Sequence, residues 1–351
     1  MSELATPERP RIEVALLSGF AFECRPDCGL CCYASPRIER TEIGRLLQIA
    51  PEAQIVEAGA DRYLAARPHG GACQFLADRR CGVHAARPSP CREFPVSVHV
   101  GERLQASVVL SCPGLDLRAL AGRFEGDPPG HGLTSEIQAA EARVGASTAR
   151  RLADAQRRRR RLVRALESEG RWQTEEAVRR RFVGRPPLPT DDDFPVADPP
   201  EIDSGWEDLP LFFDGRATPV ALAATTGGWE LHELAATGGS ARALGVIPPP
   251  TRRPRTTSEA DRLLGLYLEY WLRRDAFFGS ALLDAVGSDR SVEEVAADEL
   301  HVVGAQVLAR AEVRAKLRRA GADPLGADDV ADGIRAVDQD WLDRPTWGDR
   351  L

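Results

Sequence analysis

The spacing of apolar and polar positions splits the chain into a first part of short segments and a second part dominated by helical periodicity. Residues 11–23 read as an extended apolar segment. Residues 40–50 read as a short helix with Ile43, Leu46, Leu47 and Ile49 as its buried stripe and Thr41 as its N-cap. The runs 73–76 and 81–84 flank a polar turn at 77–80, which predicts two short strands of a hairpin with a cysteine opening each. The stretch 87–95 carries Pro88, Pro90 and Pro95, too many for a helix or a central strand, and is expected to form a rigid irregular loop around Cys91. Residues 96–100 and 104–110 alternate around Gly101-Glu102 as a second hairpin that returns the chain to Cys112.

Beyond residue 134 the pattern changes. Ile137, Ala140, Val144, Leu152, Leu162, Leu166 and Val178 recur at roughly helical spacing, and Gly170 is expected to break this stretch into two helices. Residues 184–210 are rich in proline and aspartate and read as a linker or irregular wrap. Residues 211–213, 220–224 and 229–234 predict a small antiparallel sheet, with Gly227-Gly228 as a turn. From Ser258 onward the chain is helical again, and Leu263, Leu264, Tyr267, Tyr270 and Trp271 form an aromatic stripe expected to be core. The expected class is α+β: a small cysteine-rich module at 11–120, a helical segment at 134–183, the linker at 184–210, and a mainly helical region with a small β-unit at 211–351.

Composition narrows the function classes. With 43% hydrophobic residues the chain can bury ordinary cores, and no apolar run approaches the ~18 residues that span a bilayer. The net charge of −7 gives no global attraction to nucleic acid or an anionic membrane. Arg157–Arg161 is a local exception, but consecutive helical residues fan out around the axis, so the run is expected to be a solvated face paired with acids. The expected partner is instead a protein or small-molecule substrate. Residues 1–11 carry acidic residues and prolines in place of a basic stretch and an apolar core, so the expected location is cytoplasmic.

All eight cysteines lie between residues 24 and 112, four of them within nine positions: Cys24, Cys28, Cys31 and Cys32, followed by Cys73, Cys81, Cys91 and Cys112. A reducing compartment disfavours disulfides, and inert buried thiols would be scattered along the chain. A metal or iron–sulfur centre is therefore the first hypothesis, because a short CxxC step lets two thiolates converge on one ion. The adjacent Cys31 and Cys32 are harder to fit into one centre, since neighbouring side chains diverge on strand or helix. Eight thiols suffice for two four-thiolate centres, or for one centre plus a redox-active or partner-facing set.

The order and spacing of these cysteines, with the flanks Arg87-Pro88, Phe94-Pro95 and Cys112-Pro113-Gly114, resemble the YkgJ-type cysteine-cluster family of zinc- or iron-chelating proteins over residues 18–116. More distantly, the pattern is similar to the flagellin lysine N-methylases. That resemblance implies an iron–sulfur centre and methyl transfer from S-adenosylmethionine as an alternative function. No glycine-rich nucleotide loop follows a strand in support of it.

All-thiolate ligation suits zinc and iron–sulfur alike. His69, His84 and His99 fall in the same region, with His84 the best placed as a ligand, and Arg25, Arg87 and Arg92 stand beside cysteines where they can offset thiolate charge. Two readings follow: a metal centre that takes part in chemistry, with the helical region positioning a substrate, or a structural metal in a binding or metal-handling protein. Surplus thiols favour the first; the lack of a recognisable cosubstrate pocket favours the second.

Overall fold

The computed structural model describes residues 10–25, 28–33, 36–58, 61–66, 72–121, 132–199, 201, 211–213, 219–234, 241–319, 324–342 and 349–350. Of the expected extended segment, only Ile12–Glu13 (β1) is strand, pairing in parallel with Leu104 and Gln105. The chain then turns through a 3-10 helix at Ala15–Leu17 that buries Leu16 and Leu17. Arg40–Ile49 (α1) forms as expected, but Glu39 and not Thr41 is its N-cap, and the Glu39 amide donates to Glu42 Oε2 at 3.3 Å. Only Leu46 of the expected stripe is fully buried. Leu47 and Ile49 are exposed, because a short helix docked on a small module covers only its narrow inner face.

Ile55–Ala58 (β2) and Asp61–Leu64 (β3) pair antiparallel. Leu76–Ala77 (β4) and Arg80–Cys81 (β5) form the expected hairpin, turning through Asp78 and Arg79, both left-handed at φ 46° and 61°. The proline-rich stretch contains a helix, Ser89–Glu93 (α2), where a loop is expected. Pro90 sits in its first turn, where an amide has no intrahelical partner, so proline there permits the helix. Val96–Val100 (β6) and Leu104–Val108 (β7) form the second hairpin as expected.

Thr134–Arg143 (α3), Ala146–Ser168 (α4) and Glu175–Phe182 (α5) follow. Gly170, at φ 70°, separates the last two as expected, and a second break at Val144-Gly145 makes three helices where two are expected. The arginine run lies on α4 with Arg157 against Asp154, while Arg159 reaches Glu102 and Glu175 and lies 5.7 Å over the Trp172 ring. Leu211–Phe213 (β8), Pro219–Thr225 (β9), Gly228–Leu234 (β10) and Ala241–Ile247 (β11) form a sheet of order β11-β10-β9-β8, one strand larger than expected. Ser258–Arg273 (α6), Asp275–Val286 (α7), Val292–Arg318 (α8) and Ala327–Leu342 (α9) complete the mainly helical region, and Asp349–Arg350 (β12) returns to pair with β6.

The buried side chains form two clusters. The larger joins the β6–β7 hairpin to α6–α9, with Tyr267, Tyr270 and Trp271 fully enclosed as expected. The smaller lies under the cysteines and includes Tyr33, Ile38, Leu46, Leu64, Phe75, Leu76 and Val83. Strand β9 serves both: Val220 and Leu222 belong to the larger cluster, Ala221 and Ala223 to the smaller. Alternation along a strand allows this two-faced role.

One polar network fixes the hairpin to the helices. Arg274, 1% exposed, donates to Asp338 Oδ1 at 2.7 Å and Oδ2 at 3.1 Å and to the Val108 carbonyl at 2.8 Å. Asp338, fully buried, also accepts from the Leu110 amide at 2.6 Å, and the Val108 amide donates to the Tyr270 hydroxyl at 2.9 Å. At the other end of β7, Arg103 donates to both Asp275 oxygens, and the Gln105 side chain bridges the Asp275 amide and the Arg273 carbonyl. Asp338→Ala is expected to cost about 3–5 kcal/mol of folding stability, because it strands the Arg274 charge in the core. Urea unfolding measures this, and the double replacement Arg274→Met with Asp338→Leu should recover most of the loss. A loss below about 1 kcal/mol for Asp338→Ala would mean that the pair behaves as a solvated one.

Candidate metal centre

Six of the eight thiols line a single cavity of 410 Å3: Cys24, Cys31, Cys32, Cys73, Cys81 and Cys91. They come from five separate pieces of chain. Cys24 follows the bridge between Phe22 and Leu115. Cys31 and Cys32 sit on a 3-10 turn, Leu30–Cys32, closed by the Cys32 amide on the Gly29 carbonyl at 3.0 Å. Cys73 is tied to that turn by its amide, which donates to the Cys32 carbonyl at 2.5 Å, and Cys81 stands on β5 opposite Leu76. Cys91 is the middle residue of α2. The two remaining thiols, Cys28 and Cys112, lie on the Cys24 and Cys31 side, near enough for charge on those residues and on Cys28 to act on Cys112. None of the eight is in a disulfide.

The adjacent pair does not diverge as expected, because both side chains reach the same cavity and hydrogen-bond to each other. Hydrogen bonds with Cys31 and with Cys81, and then burial, push the Cys32 thiol far up. The same bonds pull Cys31 down, and pull Cys81 down to about 6 with help from the Val83 amide and Arg87. Cys91 and Cys112 are pushed up by burial first and by neighbouring thiols second. The positive charge of Arg87 favours the thiolate at Cys24, Cys31, Cys81 and Cys91, opposing the rise at Cys24 and Cys91 and adding to the fall at Cys31 and Cys81. Among the described residues, no three His, Cys, Asp or Glu side chains are already closed to metal-binding geometry. The thiols surround a space and do not converge on a point.

The supports are as specific as the thiols. Glu42 Oε1 on α1 accepts from the Ser89 amide at 3.0 Å, the Ser89 hydroxyl at 2.7 Å and Arg92 Nη2 at 2.9 Å, clamping the helix that carries Cys91. On its other side, Glu93 pairs with Arg143 of α3 at 2.8 Å, both largely buried. Gly114 lets the segments of Cys24 and Cys112 touch: its carbonyl accepts from the Glu23 amide at 3.1 Å, and a Cβ there would stand 2.5 Å from the Glu23 carbonyl oxygen. Gly29, at φ 66°, allows the turn before Cys31.

The other expected contributors separate. His84 lines the cavity; His99 is buried in β6, away from it; His69 lies outside the described residues. Arg25 and Arg87 line the cavity, whereas Arg92 is turned to Glu42 and the Arg87 carbonyl and braces α2. Arg79 and Arg80 also line it, delivered by the β4–β5 turn, and Glu42 is the support that spacing alone did not mark.

Residues 23–113 match the family model CxxCxxCC, described as "Putative zinc- or iron-chelating domain", in agreement with the YkgJ-type resemblance. No curated protein and no solved structure matches the chain. No described helix is long and apolar enough to cross a membrane.

The Glu42 clamp gives a direct test of the supports. Glu42→Ala should weaken metal retention about 10–100-fold in chelator competition, as loss of a group that orients ligands does elsewhere. Retention equal to the parent chain would mean that α2 holds Cys91 unaided.

Proposed function

We propose that the chain is a metal-binding protein whose cysteine cavity holds an iron–sulfur cluster, with Cys24, Cys31, Cys32, Cys73, Cys81 and Cys91 as its ligand pool and Cys28 and Cys112 alongside. The observation that carries this reading is the cavity itself: six thiols around 410 Å3 enclose more space than a single ion needs. The donor set fits, since soft thiolate sulfur selects zinc and iron–sulfur centres, and the guanidinium groups of Arg25, Arg79, Arg80 and Arg87 on the same walls suit a centre with excess negative charge. Bound there, such a cluster supplies one-electron chemistry or an open coordination position.

The chain's own residues prepare the site. Cys31 and Cys81 are biased toward thiolate by the proton that Cys32 shares with them, so metal uptake has to displace that proton and is coupled to pH. Leu64, Val83, Pro36 and Pro88 give the cavity an apolar wall that limits water at the thiols. The smaller hydrophobic cluster lies directly beneath, so closing the thiols on a metal would also tie that cluster together.

Anaerobic purification with elemental analysis tests the reading. Iron and acid-labile sulfide in comparable amounts, with a broad visible absorption, are expected. Cys31→Ser and Cys81→Ser should each lose most of the bound iron while Cys→Ser at neither position prevents folding of α6–α9, as far-ultraviolet circular dichroism would show. A colourless protein carrying zinc alone would overturn the cluster and leave a structural zinc module.

A further inference from the structure

A second cavity, of 450 Å3, meets the thiol cavity at Cys24 and Arg25, which line both. Its walls also include Glu23, Asp116, Arg118 and Arg335, the last delivered from α9 of the helical region. Its electrostatics are uneven. Arg118 donates to both oxygens of Asp116, at 2.9 Å and 3.0 Å from Nε and 2.6 Å from Nη2, so these two charges are spent on each other.

Arg335 has no such partner. Its side chain is 19% exposed, and its acidic neighbour Asp332 is 3.7 Å away and already engaged by Arg318 at 2.5 Å. The Nε of Arg335 is buried without a hydrogen-bond partner among the described residues. A buried donor left unmade is costly, and a bound acceptor would relieve that cost. Burial pulls the guanidinium below its usual range and the positive charge of Arg25 does so further, while Asp332, Cys112 and Asp116 act in the opposite direction. Three guanidinium groups, Arg25, Arg118 and Arg335, thus line this space against two carboxylates, Glu23 and Asp116, beside the thiol of Cys24.

We infer that this cavity binds a small molecule bearing a carboxylate or phosphate, with the oxyanion held between Arg335 and Arg25 and the rest of the molecule directed past Cys24 toward the thiol cavity. The planar forks of two arginines match the geometry of such an oxyanion. The volume falls in the range of small-molecule sites, about 300–1,000 Å3. The inference rests on the metal-centre reading for what the ligand is brought to, and it gives that centre a substrate class: anionic small molecules. It also gives the helical region a part in the site, since α9 supplies one of the two cations.

Isothermal titration of the full chain with malonate and, separately, with inorganic phosphate tests this, with metal content measured on the same sample. Saturable binding of one anion, weakened about tenfold or more in both Arg335→Gln and Arg25→Gln and unchanged in the exposed Arg160→Gln, is the expected result. Malonate binding alone identifies a carboxylate ligand, phosphate binding alone a phosphorylated one, and either upholds the site. Arg25 is exposed, so Arg25→Gln keeps the test valid if Arg335→Gln fails to fold. No saturation by either anion up to about 10 mM, or binding indifferent to Arg25→Gln, would overturn the inference. Anion binding in a sample that takes up no iron would refute the cluster and keep the cavity, whereas iron uptake without anion binding would refute the cavity alone.

Discussion

The Arg274–Asp338 pair is the contact on which the rest of the architecture turns. Taking a guanidinium and a carboxylate out of water costs several kcal/mol each, and the interior offsets that cost through close pairing and further hydrogen bonds. Here those further bonds go to the Val108 carbonyl and come from the Leu110 amide, at the exit of β7, while the Arg274 Nε has no hydrogen-bond partner among the described residues. Satisfying the pair therefore dictates how the chain leaves β7, and Cys112 follows two residues after Leu110. A requirement of the helical core is thus transmitted to the position of a thiol in the cysteine module.

The module itself has little hydrophobic material, and its smaller cluster is completed by Ala221, Ala223 and Leu234 from the β-sheet. What holds its pieces in place is mostly polar: the triple acceptor Glu42 above α2, the Glu93–Arg143 pair beside it, and the glycine contact at Gly114. Such an arrangement positions thiols from distant parts of the chain without closing them on a point. A bound metal is the natural last constraint, as in other small folds that use metal to supplement a limited core. The helical region is then more than a support, since it clamps β7, covers the sheet, and contributes Arg335 beside the thiols.

Much of this was legible in the sequence because its signals are local. The α1 span, both hairpins around the cysteines, the turn at Gly170 and the aromatic core of α6 all follow from periodicity and turn chemistry. The eight clustered cysteines pointed to one region, and six do line one cavity. What sequence reasoning missed depends on long-range partners. Pro90 looked like a helix breaker because the helix start before it was not recognisable, and the role of Glu42 in holding that helix was hidden because its partner Ser89 lies 47 residues away. Cys31 and Cys32 were expected to diverge, as they would on a strand or an α-helix, but a 3-10 turn brings both to one space. Arg335 carries no sequence signal at all: it lies 223 positions beyond Cys112, and only folding places it near the thiols.

X-ray absorption at the metal edge of the anaerobically purified full chain tests the central claim most directly. The account predicts a first shell of sulfur alone at about 2.3 Å from iron, with a second iron in the next shell. A first shell containing nitrogen or oxygen from protein side chains, or a metal with no sulfur neighbours, would contradict it.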